Sequence, residues 1–206
     1  RELTRVCEEL GHQCLSIGRV LGVRWVASSY RTIRALWNSF EALCKHFESN
    51  SVDMARDSRD RAKFKGLLVQ LRSPQFVCDL ALLHDCLSEL SSLSLQLQSR
   101  NMSLPRADTE IKRGIRILQS FKEEPGEKMQ MAQKMQETMT FGCVQLESNT
   151  KLKTLCAKQF LQCLIDNMNN RMCSLNSEQN AEVVKALSVL DKTTWPDEIR
   201  IRYGEK

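Results

Sequence analysis

The sequence predicts an all-α fold, an irregular bundle of about eight helices, and three observations carry that prediction. Gly (8) and Pro (4) are scarce and aromatics make up 6% of the chain, so few residues suit sheets or tight turns. Apolar residues recur at spacings of three and four along most of the 206 positions. No pair of strands and no internal repeat stands out. With 42% hydrophobic residues the chain reads as one all-helical domain over residues 1–206. No apolar run approaches the roughly 18 residues needed to cross a membrane.

Leu3, Val6, Cys7, Leu10 and Cys14 place one stripe on a first helix over residues 2–15. His12 and Cys14, two apart on that helix, point away from each other and make no metal pair. Residues 16–23 hold two glycines and read as a connector or brief strand. Arg24 and Trp25 then precede a helix capped by Ser28 or Ser29 and ending near Phe47. Its apolar face is Ile33, Leu36, Trp37, Phe40, Leu43, Cys44 and Phe47. Arg31 and Arg34 lie on the opposite, exposed edge and extend a basic surface begun by Arg19 and Arg24.

Residues 48–52 form a polar break, and Asp53 caps a helix to Arg72 whose charge-dense first half is a salt-bridged exposed face. Ser73 and Pro74 open the longest helix, over about 74–98. Two apolar stripes, one through Leu80, Leu83, Leu87 and Leu90 and one through Leu82, Cys86 and Leu93, mark it as the interior spine. Further helices are expected over 106–122 and, after the break at residues 123–127, over a Met-rich 128–140 whose methionines fill core gaps. A second long helix is expected over about 150–172 and a last one from Asn176 to Leu190. Trp195, extended before Pro196, plugs the bundle end.

The net charge is +5, and residues 1–72 hold 13 Lys and Arg against 8 Asp and Glu. The remaining residues balance at 17 each, so the excess lies around the Arg-Trp stretch and points to a polyanion there. None of the nine cysteines stands in a Cys-x-x-Cys. Most fall at apolar helix positions, with Cys156 and Cys163 sharing one face as small core residues. Free buried thiols of this kind suit a reducing compartment, cytosol or nucleus.

The chain has no phosphate-cradling glycine loop, no Gly-x-Ser-x-Gly and no His-Glu-x-x-His. His12, His46 and His84 fall in different helices, and acidic residues are interleaved with basic ones. No catalytic residue, metal or cofactor is expected within these residues. An Arg-Trp pair instead offers two guanidinium donors to a phosphate and an indole face to a base.

The residues Val20-Leu-Gly-Val-Arg-Trp-Val-Ala-Ser-Ser-Tyr30 followed by Ala35-Leu-Trp-Asn-Ser-Phe-Glu-Ala-Leu43 resemble the Arg-Trp region of hAT-superfamily transposases. More narrowly, they are similar to the domesticated, transposon-derived parts of vertebrate zinc-finger and SUMO-ligase-type proteins. Leu87-Ser-Glu-Leu-Ser-Ser-Leu-Ser-Leu-Gln96, Leu190-Asp with Trp195-Pro196, and Tyr203-Gly-Glu205 fit the same pattern. The resemblance implies an all-helical insertion that interrupts an RNase H-like fold between its second and third catalytic acids. It implies that the acids lie outside residues 1–206, in agreement with a chain that opens on Arg1 in place of Met and so reads as a fragment. Arg24 and Trp25 carry over as DNA-contacting positions, with Arg19, Arg31 and Arg34 as their basic surroundings. The expected role is a non-catalytic nuclear module for DNA or protein binding and homo-oligomerisation. The rivals are the DNA grip of a working transposase and a protein-interaction platform of a SUMO-ligase-type protein that never touches DNA.

Overall fold

The computed structural model describes residues 2–11, 25–148, 153, 155–172, 182, 183, 186 and 187. Among them the fold is all-α, with eight helices and one two-residue hairpin. In chain order these are α1 (Glu2–Glu9), α2 (Trp25–Asn38), α3 (Phe40–Val52), α4 (Ser58–Leu71), α5 (Pro74–Leu97), α6 (Leu104–Ser120) and α7 (Glu127–Thr138). Strands β1 (Thr140–Phe141) and β2 (Val144–Gln145) follow, and then α8 (Ala157–Met172). Glu182, Val183, Ala186 and Leu187, on the expected last helix, are helical. The rest of that helix, the connector at 16–23, His12, Cys14 and Trp195 lie outside the described residues.

The chain divides into two compact units, Arg1–Ser91 with Glu124–Ala157, and Ser92–Glu123 with Lys158–Lys206. In the first unit α5 is the spine that its two stripes predict, with Val77, Cys78, Leu80, Ala81, Leu82, Cys86 and Leu87 all buried. Trp37, Phe40 and Leu43 from α2 and α3, Leu68 and Leu71 from α4, and Ala132 from α7 join it in one core. Met129, Met135 and Met139 pack against that core, as gap-filling thioethers do. Ser73 and Pro74 open α5 as expected. Among the described residues of the second unit the buried side chains include Leu93, Pro105, Ile115, Leu118, Leu161, Ile165 and Met168.

Several boundaries differ from the sequence reading, each for a local reason. Trp25 already begins α2, so Ser28 sits inside the helix, buried, with its hydroxyl donating to the Trp25 carbonyl at 3.1 Å. The expected single helix to Phe47 bends at Ser39 (φ −101°, ψ 15°) and continues as α3. Residues 48–52 are not a break but the end of α3, where the Asn50 amide folds back to donate to the His46 carbonyl at 2.7 Å. Asp53 ends α3 and accepts from the Ala55 amide at 2.9 Å, and α4 starts only at Ser58. The second long helix is shorter than expected, because Leu155 and Cys156 precede α8 and the Leu155 amide donates to the Asp79 carboxylate at 3.2 Å. Cys156 and Cys163 are exposed rather than core residues.

The hairpin was not expected. Its pairing is Thr140 with Gln145 and Phe141 with Val144, across a two-residue loop whose Gly142 has φ +55°. Two-residue hairpin loops need such a positive φ, which glycine adopts without a steric penalty. The hairpin delivers Phe141 into the core, stacked on Phe40 at 4.1 Å and edge-on to Trp37 at 5.1 Å. Glu41 of α3 fixes the loop by accepting from the Cys143 amide at 2.9 Å.

A second long-range carboxylate starts α7. Asp85 of α5 is 9% exposed and accepts from the amides of Lys128 at 3.1 Å and Met129 at 2.9 Å. It supplies the cap that Gly126, with no side chain, lacks. A Cβ at Gly126 would lie 2.5 Å from Asp85 Oδ2 and 2.6 Å from its Cγ, so glycine is what lets the carboxylate reach the helix. Asp85→Ala is therefore expected to lower unfolding free energy by about 2 kcal/mol in urea titrations, the loss of a cap plus two buried amides. Asp85→Asn, which keeps an acceptor oxygen, should lose less, and Gly126→Ala should destabilise by about 1–3 kcal/mol through the close approach.

Candidate functional site

Of the five basic and aromatic residues singled out above, Arg19 and Arg24 lie outside the described residues. Trp25, Arg31 and Arg34 are all exposed on α2. An α-helix turns about 100° per residue. Arg31 and Arg34 consequently stand about 60° apart, with Asn38 between them in angle, on one ridge. The buried Ala35 and Trp37 border that ridge, about 40° beyond Arg31 and 60° beyond Arg34. Trp25 does not join it. It is turned about 120° from Arg31 and 180° from Arg34, and its indole is exposed. The structure thus brings the two arginines together and leaves the indole separate, about 9 Å from Arg31 along the axis.

The ridge is held firmly from behind. Arg34 lies over the Tyr30 ring at 5.7 Å, and the Ser88 hydroxyl of α5 donates to Tyr30 Oη at 3.2 Å. The Tyr30 ring meets His84 edge-on at 5.4 Å, and His84 in turn packs against Trp37 at 6.1 Å. Lys128 Nζ sits 5.9 Å above the Trp37 ring. This line of rings pins α2 to α5, so Arg31 and Arg34 project from a packed surface.

His84 is the functional-type residue that its apolar surroundings conceal in the sequence. It is buried and its Nδ1 has no hydrogen-bond partner. Burial holds its imidazole below the ordinary value of 6.5; Asp85 and Glu127 oppose that shift, while Lys128 and Arg34 add to it. Burial likewise pushes the Cys44 and Cys86 thiols up to about 12, which makes them inert packing groups. Among the described residues no three His, Cys, Asp or Glu side chains gather where they would hold a metal ion. No described helix is long and apolar enough to cross a membrane.

No protein-family model matches the chain, and no curated protein or solved structure is significantly similar to it.

The unfolded chain protonates His84 near 6.5 and the folded chain only at lower pH, so the unfolded state takes up this proton first. Stability is unaffected by this group above that value and declines as pH falls below it. Urea melts between neutral and mildly acidic pH should show this decline, and His84→Phe, which keeps a ring in the slot, should make it shallower. In native-state thiol labelling read by peptide mass, Cys143, Cys156 and Cys163 should react quickly, and Cys7, Cys44, Cys78 and Cys86 only on unfolding.

Proposed function

We propose that the chain is a non-catalytic helical binding module that grips DNA through the exposed side of α2. It would serve as the helical insertion of a nuclear protein descended from an hAT transposase. The observation that carries this reading is Trp25. Its indole is 54% exposed, although burying a side chain of this size would be worth about 2–3 kcal/mol to the fold. On a different side of the same helix an exposed ridge carries Arg31 and Arg34, and neither has an ion-pair partner among the described residues. An exposed indole presents a stacking face to an unpaired base, and two guanidinium groups a turn apart suit successive phosphates.

Because the indole and the ridge face different ways, the two engage a nucleic acid at separate points. Arg31 and Arg34 track the backbone along α2, and Trp25 meets a base where the strand passes the helix start. This division suits a DNA end or hairpin, in which paired and unpaired nucleotides adjoin. The resemblance of residues 20–43 to the Arg-Trp region of hAT transposases supports the same reading.

Titration of the chain with a fluorescent DNA hairpin across salt tests it. Affinity should fall with salt, and Arg31→Ala with Arg34→Ala should reduce the log–log slope by about 2. Trp25→Ala should weaken binding to the hairpin by about 1–3 kcal/mol and leave the salt slope unchanged. The absence of binding at low salt would remove the DNA reading in favour of a protein-interaction platform.

A further inference from the structure

The charge balance of residues 73–206 conceals a second basic surface. Between residues 100 and 122 stand Arg100, Arg106, Lys112, Arg113, Arg116 and Lys122, against Asp108 and Glu110 alone. We propose that the exposed face of α6 is a separate docking surface for the phosphate backbone of duplex nucleic acid. The inference rests on the chain being a nucleic-acid binder, and it assigns a surface that the α2 ridge does not include.

The helix places these residues on one side. At about 100° per residue, Arg106, Arg113 and Arg116 fall within an arc of about 80°, and Lys112 flanks it. All four are exposed, whereas Gly114, Ile115 and Leu118 on the other side are buried. The two acids on the helix do not cancel the face. Lys112 pairs with Asp108 at 2.8 Å and Arg113 with Glu110 at 3.6 Å, yet the cationic side chains are 52% and 48% exposed and their carboxylates only 20% and 21%. The acids therefore sit toward the core edge and the cations stand outside them. Arg106 and Arg116 have no ion-pair partner among the described residues.

The position of Arg106 carries a second argument. The Ser103 hydroxyl caps α6 by accepting from the Arg106 amide at 3.3 Å, which puts Arg106 in the first turn. A cation there opposes the positive end of the helix dipole, and no acid in that turn relieves it. Helix stability alone disfavours this arrangement, whereas attraction for an anion gains from both the arginine and the dipole.

Size and chemistry select the ligand. From Arg106 to Arg116 the helix rises about 15 Å, enough to span the roughly 12 Å major groove and reach phosphates on both its walls. Guanidinium forks match phosphate oxygens through paired donors. An anionic membrane fits less well, because a helix lying in a bilayer surface inserts an apolar face. The exposed positions between Arg106 and Ser120 hold only Arg, Lys, Thr, Gln and Ser.

The test is fluorescence anisotropy of the full chain with a DNA duplex of roughly 20 base pairs, between about 50 and 200 mM salt. Arg106→Ala with Arg116→Ala should weaken binding about tenfold at the lowest salt and reduce the log–log slope by about 2. The matching double change to Lys keeps the charge and should retain the slope. Weakening by the α6 pair while Arg31→Ala with Arg34→Ala has no effect would support this surface and remove the α2 one. An unchanged affinity and slope in the α6 pair, with the α2 pair weakened, would overturn this inference and leave the α2 reading standing. No binding by the unaltered chain overturns both. If the α6 pair loses binding to phosphatidylserine vesicles but not to the duplex, the surface belongs to lipid and the inference is likewise overturned.

Discussion

The carboxylate of Asp85, carried on α5 and almost fully buried, accepts the amides of Lys128 and Met129 and so begins α7. Taking a carboxylate out of water is costly unless hydrogen bonds and favourable fields replace its solvation. Two amide donors and the positive end of α7 do so here. The rest of the first unit follows from that bond. It fixes where the break at residues 123–127 must end, and it sets Ala132 and the methionines of α7 against the core. The next turn of chain then forms the hairpin that inserts Phe141 between Phe40 and Trp37. Its neighbour His84, about 100° round α5, points to α2 and holds Tyr30 and Trp37. Two consecutive residues of one helix thereby place the elements on two of its sides.

That rigid backing matters for the exposed arginines. Arg31 and Arg34 project from a helix held to α5 by the rings of Tyr30, His84 and Trp37, and Arg106 and Arg116 from one whose opposite face buries Ile115 and Leu118. Charges held on packed helices lose less freedom on meeting a phosphate than charges on a loose segment. The net charge of +5 falls within residues 1–72, yet exposed arginines stand on two ridges, one in that stretch and one on α6. A running sum along the chain hides the second ridge, because acids elsewhere in residues 73–206 balance it.

Much of the fold was legible from periodicity. The stripes of α5 predicted a helix buried on two sides, Ser73-Pro74 marked its start, and the break before Glu127 and the core position of Trp37 followed from turn chemistry and spacing. What was missed depends on contacts between distant residues. Glu41 fixes a hairpin loop 102 positions away, and two residues per strand leave no alternation to detect. Asp79 draws the Leu155 amide out of helical bonding, so an apolar pattern that looked helical from residue 150 starts as α8 only at Ala157. Polar residues 48–52 looked like a break because Asn and Ser favour turns, yet Asn50 satisfies its amide within the helix. At the candidate site the exposure of Arg31 and Arg34 was foreseen. The angular separation of Trp25 from them was not, since the sequence reading puts Trp25 before the helix and the structure puts it within α2.

The most direct measurement is nuclear magnetic resonance of the side-chain N–H groups as a DNA duplex with a single-stranded end is added. Trp25 and Trp37 stand on one helix, one exposed and one buried, so Trp37 is an internal control. The account predicts that the Trp25 indole signal and the Nε–H signals of Arg31, Arg34, Arg106 and Arg116 shift together while the Trp37 indole stays in place. Shifts confined to other residues, or none at these five, would contradict it.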